Sequence, residues 1–138
     1  MKKYENFASQ LTVLADAPNQ DLANEYVKSG ITSKFSLQFE LSWKLLKRLL
    51  AYEGDPAGEQ GSPRGVIKAA YQLYDFIDED VWLGMLADRN QVSHIYDGDL
   101  VDELIQRIID RYLPEFMRLD AGLRARYGEL LELPDDEI

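Results

Sequence analysis

The sequence predicts an all-α fold: an antiparallel up-and-down bundle of four main helices with short helical segments between them. Three observations predict it. Apolar residues recur at three- and four-residue steps along nearly the whole chain. No β-branched run alternates with the period of two that a strand needs. With 138 residues, 46% of them hydrophobic, the chain has the length and apolar content for one packed core. The expected organisation is a single bundle over residues 1–128 followed by an acidic tail over residues 129–138.

Tyr4, Phe7, Leu11 and Leu14 line one face of a first amphipathic helix. Pro18 ends it, because proline cannot continue the backbone hydrogen-bond ladder. Asp21 is placed to cap the next helical segment, and Gly30 marks a bend or short break before a longer helix over about 31–52. There Phe35, Phe39, Trp43, Leu46 and Leu50 form one stripe and Leu41, Leu45 and Leu49 a second. Two adjoining stripes suit a central core helix, or a helix that also forms a dimer seam. Glu40 lies inside this apolar stretch, so it needs a partner such as Lys44 or a residue of another helix.

A glycine-rich loop comes next, and Ser62-Pro63 reads as an N-cap with proline at the first helical position. The helix beyond Tyr74 gains from Asp78, Glu79 and Asp80, whose charges suit the positive end of its dipole. It buries Val81, Trp82, Met85 and Leu86. The last helix begins near Asp97 or Asp99 and carries a stripe from Val101 to Leu123. Pro114 falls within that stripe and should kink or split it.

Composition excludes several kinds of function. There are no cysteines, hence no disulfides, thiolate metal sites or cysteine nucleophiles. A single histidine excludes clustered-histidine metal sites, and neither a metal nor a cofactor is expected. The chain has no phosphate-binding loop of the GxxxxGK[ST] type, no HExxH and no GxSxG. The first residues lack the apolar core of a signal peptide, and no run of ~18 apolar residues reads as a membrane span. The expected setting is the cytoplasm. The formal charge is −10, half of it carried by five acidic residues in the tail, which opposes unaided binding to nucleic acid. Lys44, Lys47, Arg48, Arg107 and Arg111 are candidates for a basic patch that would offset this locally.

The stretch richest in chemistry is Asp88-Arg89-Asn90-Gln91-Val92-Ser93-His94-Ile95-Tyr96-Asp97. A neutral imidazole can take the proton of a ribose 2′-hydroxyl. A guanidinium can hold nonbridging phosphate oxygens and stabilise charge in the transition state. On an ideal helix Arg89 and His94 would be about 140° apart, so they share no face, whereas Asn90 and His94 do. One phosphate can meet both Arg89 and His94 only if the helix distorts or two copies face each other. The plainer alternative for His94 is to cap the last carbonyls of its helix.

Phe39-Glu40-Leu41-Ser42-Trp43-Lys44, Ser62-Pro63-Arg64 with Val66-Ile67-Lys68-Ala69-Ala70, Trp82-Leu83, and Arg89 to Asp97 come in the order seen in the nucleotidyltransferase substrate-binding protein family. Over about residues 31–126 the chain resembles that family, within the wider HEPN superfamily of the type encoded beside minimal nucleotidyltransferases. The resemblance implies a homodimeric helical bundle with a minimal nucleotidyltransferase as partner. It implies one of two roles: a ribonuclease toxin silenced when the partner transfers AMP onto the motif tyrosine, or a noncatalytic subunit that helps bind the partner's substrate. Carried over by residue, Arg89 and His94 would be the catalytic pair, Asn90 a supporting polar group, and Tyr96 the acceptor of AMP. The other reading of Tyr96 is an aromatic anchor at the helix junction. Gly98 and the segment Gly30-Ile31-Thr32-Ser33-Lys34 depart from the family's usual pattern.

Overall fold

The computed structural model describes residues Met1–Ile138 and contains helices and turns but no strand. The helices are α1 (Lys2–Leu14), α2 (Glu25–Tyr52), the single turn α3 (Ala57–Gln60), α4 (Pro63–Leu73), α5 (Glu79–Gln91), α6 (Gly98–Arg107) and α7 (Leu113–Tyr127). None is long and apolar enough to cross a membrane.

Helix α2 is the axis of the bundle. It touches α1, α3, α4, α5 and α6. Phe35, Phe39, Leu45, Leu46, Leu49 and Leu50 are all withdrawn from solvent. Both predicted stripes therefore serve the core, since helices cover α2 on several sides. Trp43 and Leu41 remain half-buried at its margin.

Two expectations fail at the start of this helix. Gly30 does not break it: α2 runs without interruption from Glu25. Asn24 is the cap, its side-chain oxygen accepting from the backbone N–H groups of Tyr26 and Val27. Asp21 instead accepts from Ala23 N–H, one turn too early. A mid-helix glycine costs about 1 kcal/mol. Burial of Ile31 and the packing of Val27 against the core outweigh that.

Elsewhere the local chemistry acts as its residue types suggest. Ser62 caps α4 by accepting from Gly65 N–H, with Pro63 in the first turn. Asp78 caps α5 by accepting from Asp80 and Val81, and Asp97 caps α6 by accepting from Asp99. Pro114 has no N–H for the carbonyl of Asp110. The chain widens into a π-helical turn over Ile108–Tyr112 immediately before α7.

The core is continuous and aromatic at its centre. Phe35 stacks on Tyr112 at 5.3 Å, and Trp82 meets Phe116 edge-on at 5.6 Å and Phe39 at 6.3 Å. The Trp82 indole donates to Glu115, which also accepts from the backbone N–H of Asp78. This anchors the start of α5 on α7. The acidic segment after Tyr127 lies against the bundle: Leu131 is 2% exposed, and Met1 N donates to the carbonyls of Leu131 and Leu133.

Candidate functional site

Helix α5 delivers Arg89 and Asn90 in its last turn. A 3-10 turn over Val92–His94 then carries His94, and an extended stretch leads to the Asp97 cap. Successive side chains of an extended chain point to opposite sides. Ile95 accordingly packs on the core while Tyr96 projects outward, 88% exposed. Tyr96 is thus no buried anchor. His94 and Asn90 are also exposed, and no intrachain hydrogen bond holds either side chain. The imidazole does not cap α5; the terminal carbonyl of Arg89 is met by the backbone N–H of Val92.

Arg89 has the opposite surroundings. Its side chain is 27% exposed, and one terminal nitrogen lies 3.4 Å from a carboxylate oxygen of Glu40 on α2. The guanidinium carbon lies 5.3 Å from the centre of the Phe39 ring. Its Nε is sealed from solvent and has no acceptor.

Glu40 is the hub of this network. It accepts from the Trp43 indole at 3.0 Å and lies 3.3 Å from the Lys44 ammonium as well as beside Arg89. Burial pushes its carboxyl upward, but the Trp43 and Lys44 hydrogen bonds and the Arg89 charge outweigh that and hold it below the ordinary carboxylate range. The partner that the sequence requires for Glu40 is therefore double: Lys44 on its own helix and Arg89 on another.

The neighbouring carboxylate, Asp88, is taken by other groups. Arg107 grips it with two hydrogen bonds of 2.9 Å, and the Tyr112 hydroxyl donates to it. Burial and that bond push the Tyr112 phenol up to about 12, so it remains a donor. This fork joins α5 to α6 and the π-helical turn and fixes the height of Arg89 on α2.

The structure brings Arg89 to Glu40 and Phe39, and no hydrogen bond joins it to His94. Two α-helical steps and three 3-10 steps separate Arg89 from His94, which leaves their directions roughly 160° apart. The helix does tighten into a 3-10 turn before His94, but by this angle the turn alone does not put the two on one face. Within one chain the two side chains share no hydrogen bond.

The candidate basic patch is smaller than the sequence suggests. Lys44 is paired with Glu40 and Arg107 with Asp88, while Arg48 donates to the carbonyl of Ile138. Lys47 sits 6.0 Å from the Trp43 ring, and Arg111 is exposed with no carboxylate partner. No group of three or more metal-ligating side chains converges anywhere in the fold.

Sequence reasoning missed the pairing of Glu40 with Arg89. The signal lay in the resemblance itself: Phe39, Glu40, Trp43 and Lys44 belong to one of its blocks and Arg89 to another, and the fold closes them on each other. No curated protein matches the chain. Residues 1–125 match the family described as nucleotidyltransferase substrate binding protein like, which extends the resemblance back through α1. The chain belongs to the nucleotidyltransferase substrate-binding protein family.

Proposed function

We propose that this protein is the helical subunit of a two-chain system with a minimal nucleotidyltransferase, and that it is a metal-independent ribonuclease of the HEPN type. In this reading the nucleotidyltransferase silences it by adenylylating Tyr96. The observation that carries the reading is the contrast around the motif: Arg89 is held in place, whereas His94 and Tyr96 stand free on the turn beyond it.

Held cation and free imidazole suit a two-copy site. Arg89 faces α2 and His94 faces solvent, so a phosphate would meet one chain's arginine and the other chain's histidine in a homodimer. The imidazole of His94 takes the proton of a ribose 2′-hydroxyl, and that oxygen attacks the adjacent phosphorus. The bond from phosphorus to the 5′ oxygen breaks, leaving a 2′,3′-cyclic phosphate, and the 5′ oxygen takes up a proton from solvent. Arg89 holds the nonbridging oxygens while their charge grows. Asn90, exposed one turn before His94, supplies a further donor to phosphate.

Tyr96 is accessible to a partner's active site without unfolding anything. Its phenolic oxygen would attack the α-phosphorus of a bound nucleoside triphosphate, with pyrophosphate leaving and the phenolic proton passing to solvent. The added phosphodiester puts a negative charge and a nucleoside two residues from His94, which opposes RNA by charge and by bulk.

A second reading is a noncatalytic subunit that helps bind the partner's substrate. It is favoured by the acidic charge and by the engagement of Lys44, Arg48 and Arg107 within the fold. Co-expression with a minimal nucleotidyltransferase separates the two. The first reading expects growth arrest by this chain alone, relief by the partner, and a mass gain of one or more adenylates that Tyr96→Phe abolishes. Unimpeded growth and an unmodified chain that still co-purifies with the partner would favour the second.

A further inference from the structure

We infer that Glu40 is a positioning residue for Arg89: it aims the guanidinium before a phosphate arrives and gives it up cheaply when one does. The inference rests on the reading of Arg89 as the group that holds phosphate, and it concerns a residue that would not itself touch the substrate.

An arginine side chain has many rotamers, and ordering it in advance removes that entropy from the step that needs it. Only two features aim this guanidinium, the Glu40 carboxylate at 3.4 Å and the Phe39 ring beneath it. Asp88 cannot share the work, because Arg107 and Tyr112 already occupy it. The buried Nε, with no acceptor, contributes no anchor of its own.

A carboxylate that holds an arginine usually competes with phosphate for it. Here Glu40 carries two other donors, the Trp43 indole on the oxygen that faces Arg89 and the Lys44 ammonium on the other. When Arg89 turns part of its fork to a phosphate, Glu40 stays paired, and the penalty of an abandoned half-buried charge does not arise. Trp43 and Lys44 therefore make the carboxylate a guide for Arg89 that does not trap it.

The test uses the full chain with Glu40→Gln, which keeps shape and removes charge, and Glu40→Asp, which keeps charge and shortens reach. Two readouts are taken on each: the order of the Arg89 Nε–H by nitrogen-15 relaxation, and kcat and KM for RNA cleavage. The Nε–H is sealed from water, so its signal should survive exchange in the native chain. The expected result is a mobile Arg89 in Glu40→Gln with kcat lower by about ten- to a hundredfold and KM little changed, the scale of a misplaced catalytic group. Glu40→Asp should fall between it and the native chain. If Glu40→Gln does not fold, Glu40→Asp decides alone.

An Arg89 as ordered in the folded variants as in the native chain would overturn the inference, whatever the activity. So would cleavage with unchanged kcat. If the native chain cleaves no RNA while Glu40→Gln still frees Arg89, the ribonuclease reading fails and the positioning stands.

Discussion

The two halves of the motif differ in what holds them. Arg89 is held by a carboxylate and an aromatic ring of α2, and its chain neighbour Asp88 is pinned to α6 by Arg107. Only five residues later, His94 is exposed on a 3-10 turn, and Tyr96 beyond it projects from extended backbone. The first half is part of the fold and the second is only displayed by it. A motif divided in this way suits the proposed function, in which a fixed cation is joined by an imidazole and a phenol that a second molecule can reach.

Substitutions test that division. Phe39→Ala should have the largest effect, because it empties core volume beside Trp82 and removes the ring under Arg89. A loss of about 3–5 kcal/mol is expected by denaturant titration. Asp88→Asn should come next. It strips the charge from the Arg107 fork and the acceptor strength from the Tyr112 bond. Because Arg107 is partly exposed, the expected loss is about 1–2 kcal/mol.

A third effect depends on pH. The Glu40 carboxyl is held below its ordinary range when folded, so its contribution to stability is complete above the unfolded value of about 4.3. It is lost as the pH falls through the folded value. The stability difference between the native chain and Glu40→Gln should thus be flat above about pH 5 and shrink below about pH 4. Its size should stay under about 1 kcal/mol, since the group is a third exposed to water. The smallest effects belong to the displayed half. His94→Ala and Tyr96→Phe should each change stability by no more than about 0.5 kcal/mol. A large loss at either would mean that the turn is part of the scaffold after all.

How much of this was legible in the sequence depends on the range of each interaction. Local chemistry was legible: the Ser62 cap, the acidic start of α5 at Asp78, the start of α6 near Asp97 and the disturbance before Pro114 depend on residues within one turn. Gly30 was misleading because its propensity is weak and the packing of Ile31 overrides it. The demand for a partner at Glu40 was legible from the apolar run around it, but the identity of Arg89 was not. That pairing spans 49 positions and depends on how α5 lies against α2. The candidate cations were visible only as charges; that Lys44 and Arg107 are already paired needs the fold. The freedom of His94 and Tyr96 was equally hidden, since an extended turn after α5 has no strong sequence signature.

The most direct test of the proposed function is cleavage of labelled cellular RNA by the purified chain in EDTA, with a folded His94→Ala variant beside it. The account predicts that the native chain cuts, that His94→Ala does not, and that both unfold at the same denaturant concentration. Equal cutting by both, or none by a native chain whose intact mass shows an unmodified Tyr96, would contradict it.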